Sequence, residues 1–193
     1  MWHASRARCR AGGRLPLGAA LCALLFAQSA PTDASAYGSE AALIIKIGKF
    51  VHWPPKTFTN PEEVLRLCIL GSDDTADGID TLAGQKLQDK TIAIARFASA
   101  DELVTECHIV FIRKSERGRI AALLKSTARS PVLTVSDIEG FGSAGGMVGF
   151  KSVDGRTQFE INIAATKRAG LTIGAQLLQI AALSTDERSD TGP

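Results

Sequence analysis

A glycine-rich loop, a few histidines and cysteines, and a glutamate inside an apolar run are the residues here with chemistry to offer. Gly140-Phe141-Gly142-Ser143-Ala144-Gly145 matches the G-x-G-x-x-G dinucleotide fingerprint letter for letter. That fingerprint works because a helix N-terminus follows the loop at once and receives the pyrophosphate. Here Met147-Val148-Gly149-Phe150 follows, which reads as a strand. The loop is therefore the way into a hairpin, and no nucleotide or other cofactor is expected. His52 and His108 lie far apart, and His108 sits at a buried strand as a structural histidine, so no zinc or other metal site is expected. No G-x-S-x-G elbow occurs. The carboxylate pairs Asp73-Asp74 and Asp101-Glu102 fall at helix starts, where capping and the helix dipole account for them. No catalytic residue emerges, and an enzyme is not expected.

Two polar residues merit more than this. Glu160 lies in Phe159-Glu160-Ile161-Asn162. It reads either as an outward strand position paired with Arg156 or Lys151, or as a polar anchor at a partner surface or pocket, with Arg168. Trp53 reads either as a partner-facing corner with His52 or as a cover for a helix end against a sheet, the second being favoured.

The first 36 residues stand outside the fold. Arg6, Arg8, Arg10 and Arg14 form a basic region ahead of the apolar run Leu15 to Ala27, too short for a membrane span. Ala34-Ser35-Ala36 supplies a small-x-small cleavage site, so residues 1–36 are expected to be a cleaved secretory signal peptide; a cut after Ala30 fits less well. Removing its four arginines and Asp33 from 22 basic and 20 acidic residues leaves 18 against 19, a net charge of −1. The basic balance belongs to the leader, and nucleic-acid binding loses its compositional support. Cys9 and Cys22 go with it. Cys68 and Cys107 remain, an even pair in an oxidising setting, read as a disulfide with two buried free thiols as the alternative.

Residues 37–184 are expected to form one α/β domain, with a disordered tail over 185–193. Glu40 opens a helix with Leu43, Ile44, Ile47, Phe50 and Val51 on one face, ended by Trp53-Pro54-Pro55. Val64 to Leu70 and the run from Cys107 to Ile112 are nearly continuous apolar stretches, as expected of strands buried on both faces. Between them come a short helix through Ile79 and Leu82, a strand over 91–97 and a capping box at Ser99 and Glu102. A helix over 115–128 and a strand over 132–135 follow, then a hairpin turning at Asp154-Gly155. A long helix over 164–183, weakened at Gly170 and Gly174, closes the domain. The alternation predicts a three-layer, mostly parallel open sheet with helices on both faces, plus a C-terminal antiparallel hairpin and long helix.

Seven stretches occur in an order that resembles the YfiR family of bacterial periplasmic regulatory proteins. They are Lys49 to Pro54, Leu67 to Gly71, Cys107 to Ile112, Leu133 to Asp137, Gly145 to Val148, Phe159 to Asn162 and Arg168 to Leu171. The resemblance covers nearly all of residues 37–193 and implies a periplasmic regulator without catalysis. It implies repression of a membrane-bound diguanylate cyclase by binding that enzyme's periplasmic domain, which lowers cyclic di-GMP and biofilm formation. Implied partners are an inner-membrane diguanylate cyclase or another sensor protein and an outer-membrane lipoprotein, with a homodimer left open. Cys68 and Cys107 match the family's cysteine pair, which implies sensitivity to redox state. Phe150 and Glu160 match the hairpin region implicated in regulation. The family's second disulfide, near the glycine-rich loop, has no counterpart here, which implies a more mobile loop. A periplasmic small-molecule sensor, with a ligand in the crevice at the carboxyl ends of the parallel strands and Glu160 and Arg168 as contacts, is the alternative.

Overall fold

Two apolar runs lie side by side at the centre of a seven-stranded sheet. The computed structural model describes residues 40–58, 60, 63–72, 78–97, 107–153 and 156–186. The elements are α1 (Glu40–Gly48), β1 (Val51–His52), β2 (Leu65–Leu70), a 3-10 turn (Ile79–Leu82), β3 (Lys86–Leu87), β4 (Lys90–Phe97) and β5 (Ile109–Ile112). A 3-10 turn (Lys114–Arg119), α2 (Ile120–Thr127), β6 (Leu133–Ser136), β7 (Val148–Val153) and β8 (Arg156–Ile161) follow, then α3 (Ile163–Arg168), β9 (Thr172–Ile173) and α4 (Ala175–Asp186).

The sheet runs β3-β4-β2-β5-β6-β7-β8. From β4 to β7 every neighbouring pair is parallel, and β3 and β8 close the edges antiparallel. Period-two alternation sends Leu65, Leu67, Ile69, Ile109 and Phe111 into one core and Cys68, Leu70, Val110 and Ile112 into another. α1 covers the first face through Ile44 and Ile47, and α2 covers the second through Leu123 and Leu124. This is the expected mostly parallel sheet between helical layers.

Three expectations need correction. The first helix stops at Gly48 and does not reach Trp53, because β1 pairs with β9 and Gly174 N–H donates to the Phe50 carbonyl at 2.8 Å. The long C-terminal helix is two helices. Gly170 adopts φ 77°, Leu171 N–H donates to Thr166 and Gly170 N–H to Lys167, which is a Schellman stop. Leu171 and Leu177 enter the same core from either side of the break, so the apolar periodicity continues while the backbone does not. The helix expected from Ser115 opens as a 3-10 turn and becomes α-helical only at Ile120. α4 reaches Asp186, two residues into the expected tail. The leader, Asp73-Asp74, the Ser99 capping box, the Asp154-Gly155 turn and residues 187–193 lie outside the described residues. Among the described residues no helix is long and apolar enough to cross a membrane.

Candidate functional site

The residue before β7 and the residues closing β8 gather around the glycine loop. β7 and β8 pair so that Gly149 faces Glu160. A Cβ at Gly149 would lie 3.0 Å from Glu160 Oε1, and one at Gly142 would lie 2.7 Å from it. Bare glycines at both positions let the carboxylate lie over the ladder and accept from Gly142 N–H at 3.2 Å. Asn162 Nδ2 donates to the Gly142 carbonyl at 2.9 Å, so both main-chain groups of Gly142 are held by the hairpin. Asn162 Oδ1 also accepts from Ala165 N–H at 2.9 Å, capping α3. The loop is pinned again by Phe141, fully buried beneath it. Internal bonds from Ala144, Gly145 and Gly146 N–H to Gly140, Gly142 and Phe141 use the amides that a phosphate cradle would offer.

Outside this fastening lies a cleft of about 380 Å³ lined by Gly142, Ser143, Glu160, Ile161, Asn162 and Ile163. Ile163 is 43 % exposed, the large apolar side chain that the described surface leaves most open. An apolar shelf beside a carboxylate suits an apolar anchor with a neighbouring donor on another protein. Lys151 Nζ stands 3.7 Å from Glu160 Oε2, so the carboxylate serves both an ion pair and the loop.

The remaining predicted positions scatter. Phe150 is 3 % exposed and packs on Phe111 with ring centroids 6.4 Å apart. Its side chain faces the core and seats β7. Arg168 is exposed on the last turn of α3 and lines a different cavity from Glu160, so the two residues read as candidate contacts of one pocket stand at separate cavities. Trp53 covers strand ends: its indole N–H donates to the His108 carbonyl at 3.3 Å, and its ring meets Phe58 edge-on. Phe58 stacks on His108 at 4.5 Å and carries Lys90 Nζ at 5.0 Å from its centroid. His108 Nδ1 accepts from Arg66 N–H at 3.0 Å, and burial pushes its pKa below the ordinary value, with nearby Glu63 acting the other way. This is a satisfied structural histidine.

Cys68 and Cys107 form a disulfide with Cα atoms 5.9 Å apart, closing a separation of 39 residues in the second core. Sequence reasoning missed Ile163 and the double grip on Gly142. An asparagine ahead of a helical run is a readable cap signal; the reach from Glu160 across to Gly142 leaves no trace in the sequence.

A family model described as YfiR/HmsC-like matches residues 37–182. The chain belongs to the YfiR/HmsC-like family. Among solved structures, a conserved domain protein from Vibrio cholerae O1 biovar eltor is similar at 9 % identity and TM-score 0.43, covering 62 % of this chain. The match spans 54 % of that protein's length. In this YfiR/HmsC-like chain the glycine loop, which carries no cysteine, is held by Glu160, Asn162 and Phe141.

Proposed function

We propose that this protein is an exported, non-enzymatic repressor of a membrane-bound diguanylate cyclase. It binds the periplasmic domain of that cyclase through the cleft between the glycine loop and β8, and so lowers cyclic di-GMP and biofilm formation. The reading joins YfiR/HmsC-like membership to one observation, the exposed Ile163 shelf beside a carboxylate anchored to the loop. Ile163 and Ile161 receive an apolar side chain of the partner, and Glu160 accepts a donor at its rim. The disulfide contributes the stability of the fold that presents them.

The test is cyclic di-GMP in a strain lacking the gene, complemented with wild type or with Ile163→Asp. Deletion raises cyclic di-GMP, wild type restores it, and the variant fails to do so while accumulating to wild-type level. An unchanged level on deletion across growth conditions overturns the cyclase assignment; full restoration by Ile163→Asp overturns the surface.

A further inference from the structure

A second cavity lies on the other side of the glycine loop. It holds about 270 Å³, room for about nine waters at ~30 Å³ each. α2 contributes Ala121, Leu124 and Lys125, β6 contributes Thr134, the loop contributes Ala144 and Gly145, and α3 contributes Arg168. We propose that this cavity binds a small organic anion, one carboxylate on a compact apolar body, held between Lys125 and Arg168.

Charge gives the sign of the ligand. None of the residues lining the cavity is acidic, while Lys125 and Arg168 reach it from two different helices. Exposed basic side chains often do no more than solvate a helix face. These two share one concave space, and neither has an ion-pair partner among the described residues, whereas Lys114 is paired with Asp137 and Arg119 with Glu116. An anion placed between them gains two charge-assisted contacts, and a planar carboxylate matches the guanidinium fork of Arg168.

The walls give the rest of its chemistry. Leu124, Met147 and several alanines line the interior, so a bare inorganic ion would leave most of the lining against water. Thr134 is buried, and its Oγ1 accepts from Met147 N–H at 3.1 Å. Its hydroxyl proton has no acceptor among the described residues, so one donor remains for an occupant. The volume limits that occupant to a small body, about the size of a single ring with its carboxylate. An occupant resting on Ala144 and Gly145 touches the same loop that Glu160 and Asn162 hold from the hairpin side, so ligand and partner would share one wall. The site itself stands whatever partner the Glu160 cleft binds.

Calorimetric titration and thermal shift on the full mature chain test this with benzoate, its neutral isostere benzamide, and inorganic phosphate. Benzoate is expected to bind saturably and raise the melting temperature, with neither benzamide nor phosphate doing so. Lys125→Gln and Arg168→Gln, both at exposed positions, are each expected to weaken benzoate about tenfold. No binding of benzoate, equal binding of benzamide, or unchanged affinity in both variants overturns the site. Phosphate binding as tightly as benzoate overturns the requirement for an organic body.

Discussion

The two halves of the sheet are fastened by opposite chemistries. In the parallel centre, the Cys68–Cys107 disulfide ties β2 to the segment entering β5 inside an apolar cluster. At the hairpin end, the N–H and the carbonyl of Gly142 are held by the side chains of Glu160 and Asn162, within a solvent-open cleft. The first fastening is covalent, redox-dependent and closed to other proteins. The second consists of hydrogen bonds and an ion pair, each of modest net worth in water, and a partner could exchange them for its own. The covalent tie lies in a buried apolar cluster, and the exchangeable contacts lie at an open cleft.

Breaking the covalent fastening should have the largest effect. Cys68→Ser removes a cross-link over 39 residues and should cost about 4 kcal/mol in the chain-entropy picture. Against a total of ~5–15 kcal/mol that is severe. Urea unfolding of wild type with and without dithiothreitol, beside the variant, measures it. Reduced wild type and variant should coincide, and in cells the variant should lose abundance and derepress the partner. A midpoint unmoved by reduction would remove the disulfide from the comparison. Asn162→Ala attacks the second fastening and should cost about 2 kcal/mol, from the lost cap on α3 and the lost bond to Gly142. Its effect on amide exchange should concentrate at the loop; uniform acceleration across the sheet would mean that the two halves are not separately fastened.

The same contrast governs what the sequence made legible. The central strands announce themselves because a strand buried on both faces must be apolar throughout, as Leu67 to Leu70 and Ile109 to Ile112 are. Glycines and the Asp154-Gly155 turn signal located the loop and hairpin, and an even pair of cysteines pointed to the disulfide. The break at Gly170 was harder to read, because Leu171 and Leu177 keep a helix-like spacing while packing on one core from two elements. β1 and β9 have two residues each, too short for any periodicity, and exist only through their pairing. The burial of Phe150 was hidden for a related reason: position along a hairpin shows proximity to a surface, but the parity that buries a side chain depends on register with β6 and β8.

At the amino ends of the parallel strands sits the Trp53–Phe58–His108 cluster, where pH should act. His108 has its pKa lowered mainly by burial, with Arg66 and Lys90 adding to the shift and Glu63 opposing it. The unfolded chain therefore binds a proton more readily than the native one. Stability from the neutral ring is full above about pH 6.5 and is lost as pH falls through the lowered native value, at most about 1.4 kcal/mol per unit. Urea midpoints between pH 7.5 and 5 should fall for wild type and flatten for His108→Asn. An equal decline in both would assign the acid sensitivity to carboxylates.

The smallest effect on stability should be the most informative about function. Glu160→Gln keeps an oxygen for Gly142 N–H and loses only the charge facing Lys151, a half-exposed pair at 3.7 Å. Such a pair contributes ~0–1 kcal/mol, and salt screens it. The melting temperature of the variant should lie close to that of wild type and the loop should stay closed. If the carboxylate serves only the fold, repression in cells should then be unchanged. If it accepts a donor from the partner at the rim of the Ile163 shelf, repression should weaken without loss of protein, because a charged acceptor is worth more than a neutral amide once desolvated at an interface. A cyclic di-GMP measurement beside a melting curve separates the two roles, since the substitution spares the fastening and alters the surface.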